Sequence, residues 1–175
     1  MEFIRWPKTA RLTGLGRISE KIDGTNSAIV VNDDGSYHVQ SRTRIITPDS
    51  DNHGFAKWVS CNPNVVDVLG TGVHFGEWWG RGIQRGYGLN VRRFSLFQSP
   101  AIARIAEAPE GSLPDGLGVV PLLYDGSLDR DAIDEAIDRL ETHGSVAAPG
   151  YARPEGIIIR YNASGVCLKA FCFEW

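Results

Sequence analysis

The sequence contains few cysteines, and they follow no pattern typical of a stabilising framework. Cys61, Cys167 and Cys172 are odd in number, none belongs to a Cys-x-x-Cys pair, and none has a histidine at zinc-ligand spacing. This argues against a disulfide scaffold and against a structural zinc site. We therefore expect a reducing compartment and predict a cytoplasmic protein.

Long apolar runs are also missing. Residues 1–6 lack the apolar stretch of a signal peptide, and no segment approaches the roughly 20 apolar residues of a membrane span. With 175 residues, 42% of them hydrophobic, the chain can bury one core without crosslinks. We predict a single domain over residues 1–175 and no membrane partner.

Excess positive charge is a third absence. A net charge of -3 argues against a protein that coats nucleic acid nonspecifically, because such binding needs many lysine and arginine contacts. Arginines are nevertheless concentrated in the middle of the chain, whereas residues 125–141 are mostly acidic. These arginines could form one groove for a nucleic-acid end, or they could be ordinary surface charge. They are Arg42, Arg44, Arg81, Arg85, Arg92 and Arg93.

Apolar alternation and turn residues predict mainly short strands and few helices. The predicted strands cover residues 27–31, 37–41, 73–79, 92–98, 119–124, 155–161 and 166–173. The predicted helices cover residues 54–60, 63–69 and 130–142, with a helical turn at 100–106. Ser127 and Asp129 are both candidate caps for the last helix.

One lysine stands at the mouth of a predicted strand. Residues 20–26 read Glu-Lys-Ile-Asp-Gly-Thr-Asn and precede the apolar run 27–31. A lysine amine must lose its proton before it attacks a phosphoanhydride, and a short polar loop before a buried strand can favour that loss. Gly24 would let backbone approach a nucleotide, and Asn26 could bond a ribose. The alternative is a solvated Lys21 in a turn.

The Lys-x-Asp-Gly pattern at residues 21–24 resembles the nucleotide-attachment signature of the covalent nucleotidyltransferases, which comprise DNA ligases, RNA ligases and mRNA-capping enzymes. The wider wording resembles the RNA ligase 2-like branch. Further segments resemble the family's later motifs in the same order, up to residue 171. The resemblance implies an α+β adenylyltransferase domain whose antiparallel sheets enclose an ATP pocket, with helices outside.

The resemblance also implies a reaction. Lys21 attacks the α-phosphate of ATP to form lysyl-AMP, AMP passes to an RNA 5'-phosphate, and a 3'-hydroxyl then seals the strand. Glu155 is the expected metal ligand, joined by Glu77, and Mg²⁺ (or Mn²⁺) is the expected metal. The residues expected to contact ATP are Glu20, Ile22, Asn26, Arg42, Glu77, Phe97 and Lys169.

Individual assignments keep their alternatives. Phe97 is the ring expected to stack on adenine, although it could be a core residue. Lys169 and Arg42 are expected to bind phosphate. Arg44, Arg81 and Arg85 are expected to contact nucleic acid, and Arg44 could equally be a strand-end arginine without function.

The chain departs from the RNA ligase 2 pattern at Asp23, where that type has histidine, and after Lys169, where it often has a second lysine. A minimal ATP-dependent DNA ligase, a GTP-using guanylyltransferase and a binding module without turnover therefore stay open. We expect no accessory OB-fold after the last motif. A protein partner could supply one.

Overall fold

A computed structural model describes residues 14–173 of the chain. Residues 1–6, from which we predicted that the sequence does not begin with a signal peptide, lie outside the described residues. The strands are β1 (Gly14–Lys21), β2 (Thr25–Val31), β3 (Tyr37–Ser41), β4 (Ile45–Ile46), β5 (Gly72–Gly80), β6 (Arg92–Gln98), β7 (Leu117–Val119), β8 (Leu122–Leu128), β9 (Gly156–Tyr161) and β10 (Cys167–Phe171). The helices are α1 (Phe55–Cys61), α2 (Asn64–Leu69), α3 (Ile102–Ala106) and α4 (Arg130–His143).

The strands form two sheets. A four-stranded sheet has the order β10-β9-β1-β8, and a six-stranded sheet has the order β4-β3-β2-β5-β6-β7. Neighbouring strands run antiparallel except β6 and β7, which are parallel. Since β1 and β2 belong to different sheets and only residues 22–24 separate them, the two sheets meet at this short link.

Helices cover one face of each sheet. Phe55 of α1 and Val65 of α2 pack with Phe94 and Leu96 of β6 in the larger core. Leu140 of α4 packs against the four-stranded sheet in a second core. Burial of each such side chain contributes about 1.5–3 kcal/mol. The helices thus occupy the outer faces.

A third, smaller apolar cluster lies at the link between the sheets. It contains Ile22 of the link, Trp79 of β5, Tyr87 and Ala148, all at most 4% exposed. Tyr87 belongs to the glycine-rich segment between β5 and β6. This cluster therefore anchors the link that follows Lys21 to the six-stranded sheet.

Most predicted elements are confirmed, with small shifts at their ends. The predicted strand 119–124 is wrong, because β7 ends at Val119 and β8 begins at Leu122, in the other sheet. Pro121 stands in the break, and its carbonyl accepts the backbone N–H of Glu20 at 3.0 Å. Proline has no N–H to donate, which makes it unsuited to a strand interior.

Strand β1 was not predicted from the sequence. Lys21 is therefore the last residue of a strand rather than part of a free polar loop, and it pairs with Gly156 of β9. Asp129 is the cap of α4, since its carboxylate accepts the backbone N–H of Ala132 at 2.9 Å. Within residues 14–173, no helix is both long and apolar enough to cross a membrane.

Candidate active site

Lys21 and Glu155 form the centre of the candidate site. The Lys21 Nζ donates to Glu155 Oε2 at 2.6 Å, and the two side chains are only 22% and 12% exposed. Both stand where a strand begins or ends: Lys21 closes β1, and Glu155 directly precedes β9, its neighbour in the sheet. Strand pairing therefore brings the lysine and the carboxylate together, and the ion pair offsets the cost of their partial burial.

Two glycines allow the backbone to pack closely around this pair. A Cβ on Gly24 would lie 2.5 Å from the Trp78 carbonyl oxygen and 2.7 Å from Trp79 Cβ. A Cβ on Gly156 would lie 2.1 Å from the Ala170 carbonyl oxygen, and its φ of +155° lies in the range that favours glycine. A side chain at either position would push a strand away from the site.

Glu77 of β5 brings a second carboxylate to the site from the six-stranded sheet. Its Oε1 accepts the Gly24 N–H at 3.1 Å, and its Oε2 accepts Asn26 Nδ2 at 2.8 Å. Burial raises the pKa of Glu77 to about 7, against the opposing effects of Lys21, Asn26 and Gly24; Glu155 adds to the rise. Asn26, predicted to contact ATP, thus holds Glu77 in place in this structure.

Glu20 is buried and points away from Lys21, as expected for neighbours on a strand. It is 1% exposed, and its carboxylate accepts the Ser145 hydroxyl and the N–H groups of Val146 and Ala147, both at 2.9 Å. Burial raises the pKa of Glu20, and these hydrogen bonds oppose the rise. Glu20 therefore fixes the segment after α4, and its predicted contact with ATP stays a prediction.

Asp23 and the glycine-rich segment after β5 support the link that follows Lys21. Arg85 Nε donates to Asp23 Oδ2 at 2.9 Å, with the two side chains 15% and 25% exposed. The Asp23 N–H donates to the hydroxyl of Tyr87 at 2.8 Å. Arg85 contacts the link through this ion pair, and its predicted contact with nucleic acid stays a prediction. Ile22, predicted at ATP, packs in the small cluster beside Trp79.

A small cavity of about 170 Å³ adjoins these residues on the six-stranded sheet. Asn26, Arg42, Phe75 and Phe97 are among its lining residues. Phe97 is 38% exposed, so its ring is not a core residue and offers a surface to a ligand. The two residues expected to hold the nucleoside and the phosphates, Phe97 and Arg42, therefore line one cavity.

Lys169 lies on the same face of the four-stranded sheet as Lys21. Lys169 pairs with Ile158, which pairs with Ser19 on its other side. Paired residues share a face of the sheet, and so do residues two apart on one strand, so Lys21 lies on the same face as Ser19 and Lys169. Two strand spacings and two residues along β1 together separate the backbones of the two lysines by about 12 Å. The Lys169 Nζ stands 5.1 Å from the centre of the Phe171 ring.

Two of the predicted nucleic-acid contacts lie elsewhere. The Arg44 guanidinium donates to the Ser50 carbonyl at 2.8 Å, the Ser50 hydroxyl at 2.9 Å and the Asp51 carbonyl at 3.0 Å. It stabilises this turn. Arg81 lines a larger depression beside α1, away from Lys21. Contact of either residue with nucleic acid stays a prediction.

The donor set suits a hard divalent cation that keeps other ligands. Glu155 and Glu77 offer carboxylate oxygens, which Mg²⁺ and Mn²⁺ prefer. Across residues 14–173, no three or more His, Cys, Asp or Glu side chains are grouped to hold a metal. A cation here would therefore complete its shell with phosphate oxygens and water, as Mg²⁺ usually does.

Several supporting residues were not anticipated from the sequence. Ser145 and Tyr87 contact the segment around Lys21 from positions far along the chain, 125 residues from Glu20 and 64 from Asp23. The apolar pattern around Glu20 is weak, so no local signal in the sequence indicated a buried partner for its carboxylate. The predicted α+β arrangement of mainly antiparallel sheets with flanking helices is confirmed.

The sequence profile of the RNA ligase family matches residues 17–171. The match covers nearly all of the chain, including every residue of the candidate site described above. The chain belongs to the RNA ligase family. No curated protein matches this sequence.

Solved structures of Naegleria gruberi RNA ligase share the fold. An apo lysine-to-alanine mutant is similar with a TM-score of 0.62 and 21% identity, over 90% of this chain and 49% of that one. The enzyme with PPi has a TM-score of 0.58 and 16% identity, over 90% and 49%. An arginine mutant with ATP and Mn has a TM-score of 0.57 and 17% identity, over the same shares. This chain spans about half the length of these relatives.

Proposed function

We propose that the chain is the adenylyltransferase part of an ATP-dependent RNA ligase that joins 5'-phosphate and 3'-hydroxyl ends. The Lys21–Glu155 pair beside Glu77 is the observation that carries the proposal, because it brings a partly buried amine together with two carboxylates beside the small cavity lined by Arg42 and Phe97. Family membership supports ligase chemistry. The structures with ATP and Mn, which are of a protein sharing this fold, support these ligands.

In the first step, the Lys21 amine loses its proton and attacks the α-phosphorus of ATP. A nitrogen–phosphorus bond forms, the bond to the bridging oxygen breaks, and pyrophosphate leaves. Arg42 would bind phosphate oxygens, and Phe97 would stack on the adenine. The site's main contributions are to position the amine in line with the leaving group and to balance charge.

In the second step, an RNA 5'-phosphate oxygen attacks the same phosphorus and Lys21 leaves. In the third, a 3'-hydroxyl attacks the 5'-phosphate and releases AMP. Lys169, on the same face of the four-stranded sheet as Lys21, would bind phosphate. Glu155 and Glu77 would hold a divalent cation, which would neutralise phosphate charge when bound.

Covalent labelling tests this proposal. Wild type and Lys21→Ala are incubated with Mg²⁺ and ATP labelled at the α-phosphate, then separated under denaturing conditions. We expect label on wild type alone, removed by mild acid as a phosphoramidate would be, and none from ATP labelled at the γ-phosphate. Label on Lys21→Ala would contradict the assignment of the nucleophile.

Substrate choice is tested next. Nicked RNA and nicked DNA duplexes compared at equal concentration separate an RNA ligase from a minimal DNA ligase, and ATP compared with GTP separates a ligase from a guanylyltransferase. Label without sealing of any end, even when a partner domain is added, would favour the binding module. We expect RNA to be sealed with ATP, and we propose a cytoplasmic role in repair of cleaved RNA.

A further inference from the structure

A second depression lies on the other side of the six-stranded sheet from Glu77. Its volume is about 650 Å³, and it is formed by α1, the turn after β5 and the start of β6. Lys57, Trp58, Arg81 and Arg92 are the lining residues that bear on a ligand. The mechanism proposed above uses none of them.

The charge of this depression is opposite to that of the whole chain. Its lining includes three cationic side chains and no carboxylate, whereas the chain carries a net charge of -3. Arg92 is held in place, since it donates to the carbonyls of Arg81 at 2.9 Å and His53 at 2.7 Å. The exposed side chains of Lys57 and Arg81 donate to no residue of the described range 14–173. Their donors are available to a polyanion.

Trp58 gives the depression a rigid aromatic wall. The ring packs 5.1 Å from Trp78 and 6.0 Å from Phe55, measured between ring centres. Its indole N–H has no hydrogen-bond partner among residues 14–173. Within these residues, every buried side-chain nitrogen or oxygen has such a partner, so this nitrogen is not buried. The N–H edge of Trp58 therefore reaches solvent, where it can contact a nucleobase.

We propose that this depression binds the phosphodiester backbone of single-stranded RNA, with a base against Trp58. The proposal rests on the proposed function, because it concerns the strand whose end reaches Lys21. Glu77 lies three residues before Gly80, where β5 ends, and Arg81 directly follows that end, at most about 13 Å from Glu77 along the chain. An RNA strand that passes around this end of the sheet can therefore contact both places.

Binding of a labelled single-stranded RNA, followed by fluorescence anisotropy over a range of salt concentrations, tests the surface. Arg81→Ala and Lys57→Ala should each weaken binding about three- to tenfold. Each should also reduce the slope of log K against log salt by about 0.7, as expected for one lost phosphate contact with a single strand. Trp58→Leu should weaken binding about fivefold and leave that slope unchanged. The matched control is Arg139→Ala, which removes the same charge from exposed α4 and should change binding less than about twofold.

The titration contains no ATP or metal, so its result is independent of covalent labelling. If wild type takes up AMP but Arg81→Ala and Lys57→Ala bind RNA like Arg139→Ala, the surface assignment is overturned and the proposed function stands. If the losses occur in a protein that takes up no AMP, the surface stands and the proposed function is contradicted. Equal affinity for DNA of the same sequence would overturn the assignment to RNA.

Discussion

The Lys21 Nζ lies 2.6 Å from a carboxylate oxygen of Glu155, although 134 residues separate the two in the chain. Adjacent strands β1 and β9 bring them together. Glu155 neutralises the lysine here, and in the proposed reaction it would also hold a divalent cation. One carboxylate oxygen cannot fully neutralise both the lysine and a cation, so we expect the distance between Lys21 and Glu155 to increase when the ligands bind.

Glu155→Gln should lower the rate of covalent labelling by about a hundredfold or more, because the amide cannot balance a cation's charge. The substitution keeps the size and an acceptor for Lys21, so we expect a folded protein. The measurement is the initial rate of label transfer from α-labelled ATP at saturating metal. Glu135→Gln, an exposed change on α4, is the control and should label like wild type. Equal labelling rates for the two variants would contradict the assignment of Glu155 as a metal ligand.

Glu77 predicts a pH dependence of stability. Burial raises the pKa of its carboxyl from the ordinary value of 4.5 to about 7 in the folded protein. Between these values the folded state holds a proton that the unfolded state has lost, so rising pH destabilises the fold through this group. Above about 7 both states are ionised and the penalty is constant.

Glu77→Gln removes this penalty. The free energy of unfolding of the variant minus that of wild type should rise between pH 4.5 and 7, by on the order of 1–3 kcal/mol, and then level off. Urea denaturation across pH 4.5–8 measures it. Glu20, whose pKa burial also raises, is present in both proteins and cancels in the difference. A difference that falls with pH would show that the Glu77 carboxyl is not destabilised by burial.

Arg85 should act on the position of Lys21 rather than on RNA. Arg85→Ala removes the 2.9 Å ion pair with Asp23 and should slow labelling about tenfold, while the KM for ATP changes less than about threefold. Arg85→Lys should recover part of the rate. Because Asp23→Asn breaks the same pair, the double variant should be little slower than either single variant. A loss of RNA affinity with normal labelling would instead favour the nucleic-acid role predicted from the sequence.

Most strands could be predicted because apolar alternation is a local signal, whereas the shared site of Lys21 and Glu155 was implied by the resemblance of the ordered motifs to the ligase family. Strand β1 was missed although its burial alternates, since two glycines and an arginine weaken its apolar pattern. The contacts of Glu20 with Ser145 and of Asp23 with Arg85 join distant segments, and no local pattern specifies which polar partner a buried carboxylate receives. The break at Pro121 separates β7 from β8, and the sheet that each strand joins depends on pairing with distant strands rather than on its own sequence.

Phe97 provides a test of the nucleoside cavity. Phe97→Ala should raise the KM for ATP about tenfold by removing a stacking surface, and Phe97→Trp should keep most of the affinity. Its ring is 38% exposed, so stability should fall by less than about 1.5 kcal/mol. Tyr37→Ala, a change at a ring 42% exposed on β3, is the matched control and should leave the KM unchanged. A smaller loss with GTP than with ATP would show that the ring distinguishes purines, whereas an unchanged KM for ATP would place the adenine away from Phe97.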